Sequence, residues 1–470
     1  MPSQTPRPDH SPGVADLASR TTSGTMSAVE VVEDALARIT ERDPALGAFT
    51  VVLDEQARTE AADRDASLSR GEQPGPLHGV PIAIKEEIDV AGCVTTFGGR
   101  GNSTPVAADS EVVRRLREAG AVVVGKTAMP EFGAFPYTES DAHGRTHNPW
   151  SPAHTPGGSS GGTAVAVAAG MVPVGIGGDG GGSIRIPSAC CGLFGLKPQR
   201  GRVSSAPMGH LWWALGTVGP LTRSVLDSAL VYDAIRGNLA TDMFTAGATG
   251  SFADAARQEP GRLRIGWSTR PVTMGVKPDR SHVQVVEDTA ALLESLGHEV
   301  FEIDPRYPDP TAAFVPQFFA GIRAEADAVE HYDRLERRTR ETYRLGSWVR
   351  PKVTRMALKE TERISRKANR VFERCDVLLT PSIAHRPPKA GILDGAGTVR
   401  ASLKAMPAIA YAAIWNVAGN PATSVPAGIG ADGLPLAVQL VGRTDGEPQL
   451  LSLSAQLEAA RPWPLTAPMA

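Results

Sequence analysis

Cysteine is scarce in this chain. Its four copies, Cys93, Cys190, Cys191 and Cys375, form no CxxC pair, which argues against a disulfide framework and a zinc site and fits a protein of the reducing cytoplasm. The ten histidines show no HExxH and no other close ligand spacing, so neither a metal nor a cofactor is expected. No apolar run reaches the ~18 residues that span a bilayer. The first dozen residues, MPSQTPRPDHSP, lack the apolar stretch of a signal peptide, and no membrane partner is expected. An excess of charge is missing as well. Lys and Arg number 48 against 51 Asp and Glu, a formal net charge of −3, which gives no electrostatic case for binding nucleic acid.

Glycine, by contrast, is abundant and concentrated. Fourteen glycines fall between Gly157 and Gly201, interleaved with serines. Residues without a Cβ let backbone amides approach a ligand, so such a cluster is a candidate site for a phosphate or an oxyanion. Spacing separates the candidates. Gly175-Ile-Gly177-Gly-Asp-Gly180 fits a dinucleotide fingerprint after a strand expected over 171–174, but the fingerprint needs a long helix and an acid about 20 residues on. Pro187 follows closely, and no acid occurs between Asp179 and Asp227. Gly157-Gly-Ser159-Ser-Gly161 fits a nucleophile elbow, which needs a strand before it; residues 148–156 carry three prolines instead. Gly120 to Thr127 satisfies the Walker A spacing, yet its variable residues are an apolar, β-branched run that reads as a strand. What survives is Asp179-Gly180-Gly181-Gly182-Ser183. Here a serine follows three unhindered amides that can face the negative oxygen of a tetrahedral intermediate. A tight glycine turn with a solvent-facing serine is the other reading, and the pentapeptide alone leaves both open.

Taken together the segments resemble the amidase signature family. Ser159-Ser160-Gly161-Gly162, the 24-residue step from Ser159 to Ser183, GGSIRIP over 181–187, CGLFGLKP over 191–198 and GVPIAIK ending at Lys85 are similar to that family's segments and stand in its order. Weaker similarity runs on through 125–132, 216–220, 379–381 and 433–442, so the resemblance covers nearly the whole chain after about residue 25. It implies a single large α/β domain over 26–470 with a central mixed β-sheet covered by helices on both faces, a catalytic core over about 75–225, and a flexible segment over 1–25. It also implies Ser183 as nucleophile, Ser159 as bridging serine and Lys85 as base, with the amides of Gly180, Gly181 and Gly182 as oxyanion hole and Asp179 and Arg185 as supporting residues. A serine hydroxyl attacks an amide only when a base takes its proton, and lysine does so only in its neutral form. Without the resemblance, Lys85 reads as a strand-end lysine paired with Glu86 and Glu87. Two departures, Glu86 where the family commonly has Asp and Trp212-Trp213 in an expected pocket wall, put the substrate preference in doubt.

Elsewhere the pattern alternates between helix and strand. Ser27 to Glu30 is a capping box opening an amphipathic helix over 28–42, a second helix is expected over 55–70, and 77–84 is a buried strand delivering Lys85. A helix over 110–119 and a strand over 121–124 follow. Later come a helix at 223–236, a strand at 262–267, a helix at 280–296, and strands at 298–303, 376–379, 422–425 and 436–441, with a closing helix at 449–460. Residues 311–375, helical and charged, interrupt this rhythm and read as a cap over one face of the sheet. Phe132, Phe135 and Tyr137 before the glycine-rich stretch, and Trp212 and Trp213 after it, are candidate pocket walls. With no paired charge in sight for an amino-acid head group, they point to apolar or aryl amides, with esters and carbamates (urethanes) as further substrates. The partner is then a small molecule, and the chain a monomer or homodimer. Two rival readings remain: the amidase subunit of a glutamine-dependent amidotransferase, and a P-loop or dinucleotide-binding protein.

Overall fold

Ser27 opens a helix as its capping pattern requires. Its hydroxyl accepts from the Glu30 amide at 3.0 Å while the Glu30 carboxylate accepts from the Ser27 amide at 2.8 Å, and the helix Ala28–Leu46 ends at Gly47 with φ 63°. The computed structural model describes residues 11–468. Its strands are β1 (Phe49–Val52), β2 (Pro81–Lys85), β3 (Val122–Thr127), β4 (Glu139–Ser140), β5 (Gly144–Arg145), β6 (Val174–Asp179), β7 (Phe194–Lys197), β8 (Thr217–Thr222), β9 (Arg264–Trp267), β10 (Glu299–Glu302), β11 (Val377–Pro381), β12 (Ala422–Ile429) and β13 (Pro435–Gly442). β4 and β5 form a small hairpin. The others make one sheet of eleven in the order β1-β3-β2-β6-β8-β7-β12-β13-β11-β9-β10. It is mixed: β3, β2 and β6 run parallel, as do β11, β9 and β10, and the strands between are antiparallel.

Period-two alternation divides each central strand between two cores. Ile82, Ile84, Val123, Val174 and Ile176 pack on one face under the helices Val14–Thr22, Val225–Ile235, Arg280–Ser295 and Glu447–Ala460. Ala83, Val122 and Val124 pack on the other under Ala28–Leu46, Gly161–Ala168 and Arg185–Cys191. Burial on both faces explains why these strands are continuous apolar runs in the sequence. Helices Thr311–Ala328, Arg337–Leu345 and Pro351–Ala368 carry the stretch expected as a cap.

Two expectations need correction. The segment 1–25 is not uniformly flexible: Val14–Thr22 is a helix with Val14, Leu17 and Ala18 buried in the first core, while residues 1–10 lie outside the described residues. The strand expected over 171–174 begins only at Val174 and runs to Asp179, because a glycine-rich run between two partner strands is extended by their ladders. The GxGxxG match therefore lies in and just after a central strand, and no long helix follows it.

Candidate active site

Lys85 is the last residue of β2, and its side chain is 1% exposed. From there Nζ donates to Ser159 Oγ at 2.8 Å and meets Glu87 Oε1 at 3.0 Å. The anticipated pairing with both glutamates is thus divided. Glu87 faces Lys85, whereas Glu86 is buried and accepts from Thr50 and Thr96 next to Lys126. Ser159 follows a cis peptide bond from Gly158. Its neighbour Ser160 turns away, bonding through Oγ to the carbonyl and amide of Gly178 at 3.1 and 3.3 Å.

Ser183 sits in the turn between β6 and the helix Arg185–Cys191. A buried ion pair shapes that turn. Asp179 accepts from Arg185 Nε at 3.0 Å, and also from the amides of Gly182 at 2.7 Å and Ile184 at 3.2 Å. Burial alone would raise the Asp179 pKa, but the guanidinium beside it overrides burial and holds the carboxyl below its usual range. Asn416 and Gln439 complete the ring, each accepting from Arg185, at 2.7 and 2.8 Å. The expectation for Gly182 fails here, since its N–H is engaged by Asp179 and cannot face a ligand oxygen. Among the described residues the amides of Gly180, Gly181 and Ser183 have no such partner.

Two cavities meet at this turn. One is small and polar, ≈ 30 Å³, and holds Lys85, Glu87, Ser159, Ser183, Trp212 and Glu325 in its walls. The other is ≈ 490 Å³ and apolar, running from Ser183 past Phe135, Trp212, Phe314 and Phe318. Ser183, Gly133 and Trp212 line both.

The family model described as Amidase matches residues 30–451. The chain belongs to the amidase signature family. As a member it is an amidohydrolase. It is 47% identical over 455 residues to the protein named "Putative amidase AmiB2" of Mycobacterium tuberculosis strain H37Rv, with 96% of each chain covered. Among solved structures it is similar to 6-aminohexanoate cyclic dimer hydrolase in complex with substrate (TM-score 0.90, 30% identity, 98% and 100% of the two chains). It is also similar to a bacterial aryl acylamidase of the amidase signature enzymes (TM-score 0.88, 26% identity, 97% and 98%).

In this amidase the aromatic candidates divide. Phe135 and Trp212 line the apolar cavity, whereas Phe132, Tyr137 and Trp213 do not. Phe132 is packed with Ile322, Ala326 and Leu335. Tyr137 is buried against Leu393 and Ala401, and its hydroxyl donates to Lys404 O at 2.7 Å. Trp213 points away and stacks on His210 at 4.4 Å. Sequence reasoning missed Glu325, Phe314 and Asn416. For the first two a signal existed: 314, 318, 321 and 325 share one face of a helix. Lys126, in the Walker-like run, is a buried residue of β3 donating to Val94 O at 3.2 Å. No group of three His, Cys, Asp or Glu side chains that could hold a metal occurs among the described residues, nor is any helix there long and apolar enough to cross a membrane.

Proposed function

We propose that the protein hydrolyses amides with a bulky apolar or aryl group through an acyl-enzyme on Ser183, with Ser159 bridging to Lys85 as base. The observation that carries this reading is the position of Ser183 at the junction of the two cavities. Ser183 shares the small cavity with Lys85 and Ser159 and also lines the chamber walled by aromatic rings. In acylation the Ser183 proton passes to Ser159 Oγ while the Ser159 proton passes to neutral Lys85, as Ser183 Oγ bonds to the carbonyl carbon. The oxygen, now negative, takes hydrogen bonds from the free amides of Gly180, Gly181 and Ser183. Collapse of the intermediate breaks the C–N bond, and the relay returns the proton to the departing amine. Water repeats the cycle on the acyl-enzyme and releases the acid. Asp179 and Arg185 fix the turn and take no proton.

Esters and carbamates form the same tetrahedral centre, and we include them in the proposed scope. Replacing Ser183 by alanine is expected to abolish turnover of an acyl anilide together with covalent labelling by a serine-directed reagent. Substantial labelling of the Ser183→Ala protein would overturn the assignment, and a clear preference of the parent for glutamine would favour an amidotransferase subunit instead.

A further inference from the structure

Glu325 is a charged residue type on an otherwise apolar stripe. Phe314, Phe318, Gly321 and Glu325 follow one another at steps of four, three and four along the helix Thr311–Ala328, which places them on one face. The two phenylalanines line the apolar cavity. Gly321 admits the Trp212 indole so closely that a Cβ there would lie 2.5 Å from the ring. One turn later Glu325 reaches the polar pocket that holds Lys85, Ser159 and Ser183. Its Oε1 accepts from Trp212 Nε1 at 2.8 Å, while Oε2 is buried and has no partner. A buried carboxyl oxygen without a partner is costly. A mere contact of the cap would have no need of it.

We propose that Glu325 is a substrate-binding residue supplied by the cap, whose Oε2 hydrogen-bonds an acceptor oxygen attached to the scissile carbonyl of a carbamate. Burial raises the pKa of this carboxyl well above its ordinary range, the Trp212 N–H offsets that only in part, the Glu87 carboxylate raises it further, and Lys85 opposes the rise without cancelling it. A shift in this direction favours the neutral acid, and because Oε1 already accepts from Trp212 the proton falls on Oε2, the oxygen with no protein partner. An anilide offers a methylene where a carbamate offers an alkoxy oxygen, so only the carbamate uses this donor. The inference rests on Ser183 being the nucleophile.

The test uses an acyl anilide and the carbamate in which oxygen replaces its α-methylene, assayed on the parent, Glu325→Gln and Glu325→Leu. The ratio of kcat/KM for carbamate over anilide should fall about tenfold in Glu325→Leu and stay within ~3-fold of the parent in Glu325→Gln, which keeps a donor at the same place. Both substrates are read on one preparation, so any loss of folded protein cancels in the ratio. An unchanged ratio in Glu325→Leu, a fall in Glu325→Gln as deep as that in Glu325→Leu, or absence of carbamate turnover by the parent would overturn the inference. If Ser183→Ala is inactive and the ratio does not move, Glu325 alone is misassigned; if Ser183→Ala still turns over, the nucleophile is.

Discussion

At the scale of single residues, Ser159 and Ser160 show how one step along the chain changes what a hydroxyl meets. Ser159 Oγ receives the Lys85 ammonium or amine at 2.8 Å, whereas Ser160 Oγ ties the start of the helix Gly161–Ala168 to Gly178. Ser159→Ala should therefore cut kcat by ~10²–10⁴-fold, the usual range for a lost proton-transfer group, with the urea midpoint nearly unchanged. Ser160→Ala should lower the midpoint by leaving the Gly178 groups unpaired while costing less turnover; steady-state kinetics and denaturation of the two variants decide, and the reverse order would show the register to be wrong. The spacing of 24 residues to Ser183 singled out Ser159, and Ser159 is the one of the two whose hydroxyl meets Lys85. No comparable spacing existed for the aromatics. Trp212 and Trp213 are adjacent, both at positive φ, and one lines the cavity while the other stacks on His210. Sequence alone cannot decide which of two neighbours in an irregular loop turns inward.

At the scale of elements, the long amphipathic helices and the apolar strands were legible to within a few residues, and the failures have physical causes. The helix Gly161–Ala168 is buried on every side, so it shows no period of 3.6 to be read. Strand β8 contains Pro220, which argues against a central strand. It is tolerated because the β7 ladder reaches only Leu221 and Thr222, leaving Pro220 paired on the β6 side alone. The helices expected as a cap meet the rest of the chain through carboxyls. Glu336, just before the helix Arg337–Leu345, accepts from the Asp141 amide at 2.6 Å, while its own amide donates to Glu131 Oε2 at 2.9 Å. Burial first, and the Glu131 carboxylate second, push the Glu336 pKa from 4.5 up to about 7. A carboxyl raised on folding binds its proton more tightly in the native state, so its contribution is complete below 4.5 and is lost as pH rises to about 7. Thermal melts should show a decline across that window, and Glu336→Gln, neutral throughout, should flatten it. A decline of equal size in the variant would place its origin elsewhere.

At the scale of the whole molecule, the site is assembled from distant chain positions around one buried charge pair. Asp179 ends β6, Arg185 opens the helix that follows Ser183, Asn416 lies in the helix Ala413–Ala418, and Gln439 belongs to β13. All four are sealed from solvent. Their hydrogen bonds join the turn that carries Ser183 to the helix Ala413–Ala418 and to β13 on the far side of β7. Glycine frequency and motif order located that turn in the sequence. The Asn416 and Gln439 partners were not legible, because a single polar residue in an apolar strand or helix gives no sign of what it faces. Breaking a buried pair from one end leaves an uncompensated charge and costs about 3–5 kcal/mol, whereas replacing both ends with apolar residues is often close to neutral. Asp179→Leu should therefore lower stability by about that amount, and Asp179→Leu combined with Arg185→Met should recover much of it. Turnover should not recover with it. The Asp179 carboxylate also holds the Gly182 and Ile184 amides, and on the proposed mechanism its loss frees the amides of Gly180, Gly181 and Ser183 from their orientation toward the oxyanion. Urea denaturation and kcat measured on the single and double variants separate the two roles, and a double variant that regains both stability and full kcat would show that the pair serves the fold alone.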